Sequence, residues 1–160
     1  MFNFLQPKQV VKNIYEIDFA TIKAKGINSL ILDIDDTLIP RRSVDVPLRV
    51  FEWIAKRKEE GFKLCLTSNS RHPLRVKFIG EALDLPYLYM SFKPLPFAFW
   101  KSMKLLHTNP KQTAMIGDQL FMDTLGANLL GIHSIYVTPM TAETFYPRIV
   151  MRQIEKKIIN

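Results

Sequence analysis

The feature that most constrains this chain is an apolar segment, 29–34, that ends in acid. Leucine and isoleucine follow one another there, and carboxylates come at or just beyond its end, at Asp33, Asp35 and Asp36. An unbroken apolar run is typical of a strand that is buried on both faces, as in a parallel sheet between two layers of helices. Because carboxylates are costly to bury without partners, their position indicates a functional site at the edge of the sheet.

Further apolar segments repeat along the chain, separated by amphipathic stretches. We predict strands at 29–34, 62–67, 87–90, 113–116 and 134–137. We predict helices at 47–61, 73–83, 94–106, 119–130 and from about 144 to 160. Strands that alternate with helices predict an α/β fold, here a three-layer, doubly wound parallel sheet formed by a single domain over 1–160.

The predicted helix 94–106 shows how we expect the core to be filled. Its apolar residues recur every three positions, at Phe97, Trp100, Met103 and Leu106. This spacing predicts one buried face, with the two aromatic rings in the core and not in a ligand-binding pocket.

Composition narrows the compartment and the partners. Cys65 is the only cysteine, so no disulfide can form within the chain, which favours a reducing cytoplasm. The apolar start at Phe2, Phe4 and Leu5 is interrupted far short of a membrane-spanning length, and we expect no transmembrane segment. A net charge of +7 and a pI near 9.6 favour a polyanionic partner: an anionic membrane surface, a nucleic acid or a phosphorylated substrate.

Polar residues follow the ends of four predicted strands. Asp33 and Asp35 end the first, Ser68 ends the second, Lys93 follows the third and Asp118 ends the fourth. Ligands of open parallel sheets bind at the carboxyl ends of the strands. We therefore expect these side chains to meet in one crevice.

These residue types suit phosphoryl transfer. Carboxylates gathered at Asp33, Asp35 and Asp118 repel one another, and a divalent cation relieves the repulsion. Ligands that are all oxygen favour Mg²⁺. Asp33 is placed to attack phosphorus, Asp35 to move the protons, and Lys93 and Ser68 to hold the phosphoryl oxygens.

In this order and spacing, the residues resemble four motifs of the haloacid dehalogenase (HAD) superfamily of phosphohydrolases. Residues 33–38, Asp-Ile-Asp-Asp-Thr-Leu, are similar to its DxDxT motif, and residues 117–123, Gly-Asp-Gln-Leu-Phe-Met-Asp, to its GDxxxxD motif. Ser68 and Lys93 stand where the family has its second and third motifs. The resemblance implies a Rossmann-like core and a phosphatase activity with Mg²⁺ as cofactor.

The resemblance also implies a role for each acidic residue of the site. Asp33 would be both nucleophile and metal ligand. Asp35 would act as acid and base and would offer its backbone carbonyl to Mg²⁺. Asp118 would bind the metal, and Asp123 would support it.

For the phosphate, the resemblance implies contacts from residues that follow the second and third strands. Ser68 would hydrogen-bond the phosphoryl oxygens, Asn69 next to it would also bind the phosphate, and Lys93 would neutralise the nucleophile and the phosphate. Arg71 and Arg75 come shortly after and are candidate substrate contacts; the alternative is that they are ordinary surface charges.

The intervals between the motifs leave no room for a cap domain of the kind that encloses small metabolites. Only a turn and one helix fit between the first and second motifs, and the second and third motifs are also too close. An open site admits bulky substrates: proteins, nucleic-acid ends or lipids at a membrane surface. It admits small molecules if another subunit closes the site, so oligomerisation stays open.

Nearly the whole chain resembles one capless branch, the YqeG-like proteins of subfamily IIIA, whose relatives include phosphatidylglycerophosphate phosphatases. Asp36 and Met122 depart from the pattern, since the branch often has Asn and Thr there. Phosphatidylglycerophosphate is therefore the first candidate substrate. One alternative is a soluble or nucleic-acid phosphomonoester as the substrate. The other is a weakly catalytic binding or assembly factor, whose signature would be the loss of Asp33 or Asp35; both residues are present.

The two chain ends are the candidate surface for contact with a membrane. Near the C-terminus, isoleucines and a valine alternate with four basic residues, Arg148, Arg152, Lys156 and Lys157. Such a surface could rest on anionic headgroups and give a peripheral membrane location. The alternative is that both ends pack on the domain or on another subunit.

Overall fold

The computed structural model describes residues 3–160 and arranges them around one parallel sheet of six strands. The strands are β1 (Gln9–Val11), β2 (Ser29–Leu32), β3 (Lys63–Thr67), β4 (Tyr87–Leu88), β5 (Thr113–Gly117) and β6 (His133–Val137). Their order across the sheet is β1-β6-β5-β2-β3-β4. The direction of winding therefore reverses between β2 and β5, and a doubly wound sheet has its ligand crevice at that reversal.

Helices connect the strands. The α-helices are α1 (Phe19–Ala24), α2 (Leu48–Glu59), α3 (Pro73–Leu83), α4 (Pro96–Leu106), α5 (Leu125–Leu129) and α6 (Tyr146–Ile159). Short 3-10 helices lie at Asn3–Leu5, Ile14–Glu16 and Pro110–Gln112, and a π-helical turn, Leu120–Thr124, leads into α5.

An apolar cluster on each face of the sheet confirms the three-layer α/β fold. On one face, Leu30 and Leu32 of β2 belong to a cluster with residues of α1, α2 and α3. On the other face, Ile31 belongs to a cluster with Phe99 of α4 and Ala127 of α5. Successive side chains of β2 thus fill opposite layers, as the pleat of a strand requires. Residues 3–160 contain no cap domain.

The edge strand β1 is not among the strands that the sequence predicts. Its three residues are not buried, and it pairs in parallel with β6, with Val10 opposite Tyr136. A segment this short has no apolar period to detect, so only its pairing with β6 identifies it as a strand.

Helix α4 turns a different face to the sheet from the one predicted. Phe97 and Trp100 are 58% and 50% exposed, so the prediction that both rings lie in the core is wrong. The helix buries Ala98, Phe99, Ser102, Met103 and Leu106. A spacing of three moves the side chain by about 60° per step around a helix of 3.6 residues per turn. Residues 97 and 106 therefore lie on opposite sides of α4.

The described parts of both chain ends pack on the domain. Gln6 Nε2 donates a hydrogen bond to the carbonyl of Ile158 at 3.0 Å, and Asn128 Nδ2 donates to the carbonyl of Phe4 at 2.8 Å. Arg152 also turns inward, with 14% of its side chain exposed. Phe2 lies outside the described residues. Among residues 3–160, no helix has the length and apolar character needed to cross a membrane.

Candidate active site

Three buried carboxylates meet where the strand order reverses. Asp33 follows β2, Asp118 follows the neighbouring β5, and Asp123 lies in the π-helical turn. One oxygen from each of the three lies within 4.8 Å of the others. The backbone N–H of Asp33 donates to the carbonyl of Ile116 at 2.9 Å, which joins the ends of β2 and β5. The structure thus brings Asp33 and Asp118 together, as the positions of the strand ends predicted.

Lys93 joins two of the carboxylates. Its Nζ lies 2.7 Å from Asp33 Oδ1 and 2.7 Å from Asp123 Oδ1. Burial by itself lowers the pKa of Lys93, but Asp123 and Asp33 raise it above its ordinary value, so the amine stays charged. Burial raises the pKa of Asp33 to about 6, with Lys93 lowering it and Asp123 raising it. The Lys93 ammonium therefore favours the ionised, nucleophilic form of Asp33.

Asn69 fixes the backbone of Lys93. Asn69 Oδ1 accepts the backbone N–H of Lys93 at 2.8 Å, and Asn69 Nδ2 donates to the carbonyl of Lys93 at 3.0 Å. Asn69 thus holds Lys93, and the second N–H of its Nδ2 can still donate to a phosphoryl oxygen in the cleft that Asn69 also lines. Ser68 is buried at the end of β3, where its Oγ accepts the N–H of Ser70 at 3.0 Å. A hydroxyl can accept and donate at the same time, so Ser68 can still donate to a phosphoryl oxygen.

The side chain of Asp35 is held by Arg75 of α3. The guanidinium donates to Asp35 Oδ1 at 2.7 Å and to Oδ2 at 3.2 Å, and its Nε donates to the carbonyl of Ser43 at 2.8 Å. The backbone N–H of Arg42 adds a further hydrogen bond to Asp35 Oδ1 at 3.2 Å. Arg75 therefore lies on Asp35, whereas Arg71, the other candidate substrate contact, is exposed and lines the cleft.

Residue 117 is a glycine because there is no space for a side chain at that position. A Cβ on Gly117 would overlap the carboxylate of Asp123. The backbone N–H of Gln119 donates to Asp123 Oδ2 at 3.2 Å, so this carboxylate has little freedom to move. The π-helical turn, an irregularity that is frequent at functional sites, brings Asp123 back to Gly117 and Lys93.

Arg152 of α6 is a site residue that sequence reasoning missed. Its Nη2 lies 2.5 Å from Asp118 Oδ2. Burial, Asp33 and Asp123 raise the pKa of Asp118 well above its ordinary value, and Arg152 opposes this shift. In the sequence Arg152 is one of several basic residues near the C-terminus, and no spacing connects it with Asp118. Arg152 therefore does not belong to the basic surface that the sequence offered to anionic headgroups, because its side chain turns inward onto Asp118.

Asp36 links the turn after β2 to the segment that precedes α6. It is buried, and it accepts hydrogen bonds from Arg41 Nη2 at 3.0 Å and from Thr141 Oγ1 at 2.7 Å. Arg41 Nη1 donates in turn to Glu143 Oε2 at 2.7 Å. These contacts hold the segment 141–145 beside the site.

The site opens into a cleft of about 830 Å³ that Asp33 and Asp35 line. Five arginines also line it: Arg41, Arg42, Arg71, Arg75 and Arg148. The side chains of Arg42, Arg71 and Arg148 are exposed. One guanidinium group can bind two oxygens of a phosphate at the same time. The three exposed arginines therefore favour a substrate with more than one anionic group.

The ligand atoms suit a hard divalent cation. Three buried carboxylates face two cations, Lys93 and Arg152, and Arg152 is shared with the buried Glu155, so negative charge is in excess at the site. The three carboxylates offer only oxygen, the ligand type that Mg²⁺ prefers. Each of the three carboxylates can offer one oxygen to such an ion, and Asp123 also lies 2.7 Å from Lys93 Nζ through Oδ1 and accepts a backbone N–H through Oδ2.

Comparison with known proteins gives the family. Over 157 residues, the chain is 32% identical to the probable phosphatase YqeG of Bacillus subtilis, across 98% of this chain and 91% of that protein. The chain belongs to the HAD superfamily, in its YqeG-like branch. A family model described as HAD-hydrolase-like also matches residues 92–141 of this HAD protein. These matches confirm the resemblance seen in the sequence, and the chain is a phosphatase.

Two other phosphatases show more limited similarity to this HAD protein. A stretch of 53 residues is 38% identical to the mitochondrial phosphatidylglycerophosphatase of Saccharomyces cerevisiae, over 33% of this chain and 27% of that protein. The deoxy-D-mannose-octulosonate 8-phosphate phosphatase of Haemophilus influenzae, in its cobalt-bound form, superposes with a TM-score of 0.57 at 16% identity. That superposition covers 85% of this chain and 89% of the other. At this identity it shows the HAD fold alone.

Gly117→Ala should damage the site of this HAD phosphatase by displacing Asp123. The added methyl group pushes the carboxylate off Lys93, and we expect the free energy of unfolding to fall by about 1–3 kcal/mol. Misplaced groups at a reacting centre lose activity steeply, so phosphate release should fall about a hundredfold. Urea denaturation and a phosphate-release assay measure the two effects.

Gly131→Ala is the control for this variant. Gly131 has a φ of +73°, so alanine strains the backbone there, but its Cβ would meet open space. It should therefore lose stability and keep its turnover number. A Gly117→Ala protein with wild-type activity would contradict the steric account.

Proposed function

We propose that this chain is a Mg²⁺-dependent phosphomonoester hydrolase that forms a covalent aspartyl-phosphate on Asp33. The observation that carries the proposal is the buried ion pair between Asp33 and Lys93, 2.7 Å long, beside Asp118. Asp33 also lines the cleft, so a substrate can reach its carboxylate. In this proposal the whole chain, 1–160, acts as one phosphohydrolase domain.

Hydrolysis proceeds in two displacements. An oxygen of Asp33 attacks phosphorus, the bond to the leaving alcohol breaks, and Asp35 gives that oxygen a proton. Water then attacks the phosphoryl group, Asp35 takes a proton from it, and the bond to Asp33 breaks to release inorganic phosphate. Lys93 and Ser68 stabilise the phosphoryl oxygens in both steps.

Asp33, Asp118 and the backbone carbonyl of Asp35 would hold the cation. When bound, Mg²⁺ supplies positive charge to the phosphoryl oxygens and orients them for in-line attack. Asp123 does not bind the ion in this account; it holds Lys93 next to Asp33, with Nζ at 2.7 Å from each.

Arg75 sets the orientation of Asp35. Its two-point contact, at 2.7 Å and 3.2 Å, binds the ionised carboxylate, which is the form that accepts a proton from water. Arg75 thus holds the Asp35 carboxylate at the wall of the cleft, where the same group gives a proton in the first displacement and takes one in the second.

Phosphatidylglycerophosphate is the substrate that we propose. It carries a phosphodiester besides the phosphomonoester, and the exposed Arg42, Arg71 and Arg148 of the cleft suit this second anionic group. The partial similarity to a yeast phosphatidylglycerophosphatase supports the same choice. We place the protein in the cytoplasm, with reversible contact at the membrane surface.

Five exposed apolar residues lie close to Lys93 in the sequence, and we call them together the apolar edge. They are Met90, Phe92, Leu95, Phe97 and Trp100. Met90, Phe92 and Leu95 line a groove that also includes Asn69, Arg71 and Lys93. The rings of Phe97 and Trp100 pack edge to face, with centroids 5.8 Å apart.

The charge around the apolar edge favours an anionic lipid surface. From Leu85 to Gly117 the chain has four lysines and no acidic residue. Met90 and Phe92 have φ of +44° and +57°, which is uncommon for bulky side chains and is tolerated mainly where function requires it. An apolar surface on a segment whose charged residues are all basic fits anionic headgroups and the acyl chains below them.

Asp33→Asn should abolish turnover and leave the fold intact, because it removes the nucleophilic charge at nearly constant volume. Asp35→Asn should also lose steady-state turnover, and trapped phosphoenzyme would show which displacement depends more on its proton transfer. Phosphate release, circular dichroism and the mass of the intact protein are the measurements. An active Asp33→Asn protein would refute the covalent mechanism.

A phosphatase for this lipid should prefer it to soluble phosphate esters. With Mg²⁺ present, phosphate release from phosphatidylglycerophosphate in anionic vesicles should exceed release from nucleotides, sugar phosphates and phosphorylated DNA ends. The double variant Phe92→Ser with Trp100→Ser should lose about tenfold on the vesicles, because two rings leave the lipid. Its activity on a soluble ester should not change.

Leu129→Ser is the matched control, since Leu129 is 56% exposed at the end of α5 that leads into β6, away from the site. It should behave as the wild type on vesicles. Preference for a soluble or nucleic-acid ester would keep the mechanism and discard the lipid. Release from no substrate would favour the weakly catalytic binding or assembly factor.

A further inference from the structure

The helix α6 reaches into the metal-binding region through Arg152. The guanidinium contacts two atoms of Asp118: Nη2 lies 2.5 Å from Oδ2, and Nη1 contacts the backbone carbonyl. A planar guanidinium can bind two acceptors at once in a fixed geometry, which a lysine ammonium does less well. The contact therefore fixes both the position and the orientation of the Asp118 carboxylate.

Glu155, one turn further along α6, holds Arg152 and the loop after Asp118. Arg152 Nη1 donates to Glu155 Oε2 at 2.9 Å, and Glu155 Oε1 accepts the backbone N–H of Leu120 at 2.9 Å. Glu155 and Leu120 are both buried. Arg152 and Glu155 together thus hold the loop 118–120 in place through hydrogen bonds to Asp118 and Leu120.

The contact of Arg152 with Asp118 Oδ2 leaves the second carboxylate oxygen, Oδ1, on the side that faces the site. Asp118 Oδ1 lies 3.5 Å from Thr37 Oγ1, which in turn lies 3.4 Å from Asp33 Oδ2. Arg152 thus occupies one oxygen of Asp118, and the second oxygen lies on the side of Thr37 and Asp33. That is the arrangement needed for Asp118 to bind a cation through a single oxygen.

We propose that Arg152 is a positioning residue that, supported by Glu155, orients Asp118 for binding a divalent cation. The inference rests on the proposed metal site of this phosphatase and adds to it a partner on the C-terminal helix. Residues 3–160 contain no cap domain, and α6 then does more than cover the fold. Its start lines the cleft with Arg148, and its middle determines how well the cation is bound.

Partners of this kind have a measurable effect on metal affinity. Hydrogen bonds that orient a metal ligand change metal affinity by about 10–100-fold when they are removed. Arg152 also carries a positive charge, which on Coulomb's law alone opposes a cation a few ångströms away. The two effects have opposite signs, so the direction of the change on removing Arg152 decides between positioning and simple charge compensation.

The test is the binding of Mn²⁺, followed by electron paramagnetic resonance and by displacement with Mg²⁺, in wild type, Arg152→Met, Arg152→Lys and Lys156→Met. Hydrogen exchange at the backbone N–H of Leu120 is measured in the same proteins. We expect Arg152→Met to weaken Mn²⁺ about tenfold or more and to speed exchange at Leu120. Arg152→Lys should recover only part of the affinity. Lys156 is exposed on the same helix, so Lys156→Met should match the wild type.

Each other outcome overturns one specific claim. Tighter Mn²⁺ binding in Arg152→Met would show that Arg152 is a competing counter-ion, and unchanged binding with lower stability would show that it only anchors α6. Both results would overturn the inference and leave the proposed hydrolase standing. A wild-type protein that binds neither Mn²⁺ nor Mg²⁺ would overturn the proposed metal site itself, and the inference with it.

Discussion

The ion pair between Asp33 and Lys93 is the interaction on which the rest of the site depends. Both residues are buried, and a buried charge without a partner costs about 3–5 kcal/mol. Asp123 gives Lys93 a second carboxylate at 2.7 Å, and Asn69 fixes the backbone on either side of it. Gly117 then has to lack a side chain because Asp123 takes the space that a Cβ would need. One ion pair therefore constrains the sequence in four places: at Asp33, Asn69 and Lys93 and in the segment 117–123.

The topology explains why these segments meet and why the site stays open. The winding reverses between β2 and β5, so the residues that follow these strands lie side by side at a crevice. Without a cap domain, the walls come from the core itself: the segment 141–148 on one side, with residues after β3 and the start of α3 also lining the cleft. Exposed arginines along such walls suit a substrate that is too large to be enclosed and that carries several negative charges.

The sequence predicted what depends on strand ends and missed what depends on distant contacts. Apolar runs that stop at Asp33, Ser68 and Asp118 place the residues that follow them at one edge of a parallel sheet, and the structure brings them there. The contact between Arg152 and Asp118 joins residues 34 positions apart on different elements, and no local pattern encodes it. Strand β1 was missed because its three residues have no period.

Side-chain roles were harder to predict than positions, for the same reason. Asn69 lies next to Ser68 as the sequence requires, yet its amide is used on the backbone of Lys93. Trp100 follows an apolar spacing of three, which drifts around the helix, so the ring is 50% exposed and not in the core. In both cases the position along the chain was clear, while the partner depended on which neighbour the fold supplied.

The measurement that tests the central claim most directly is a crystal structure of the protein with Mg²⁺ and beryllium trifluoride, a mimic of the aspartyl-phosphate. We predict beryllium bonded to an oxygen of Asp33, with Mg²⁺ held by Asp33 and Asp118 and Lys93 in contact with a fluorine. Beryllium on another residue, or Mg²⁺ bound away from Asp33 and Asp118, would contradict the account.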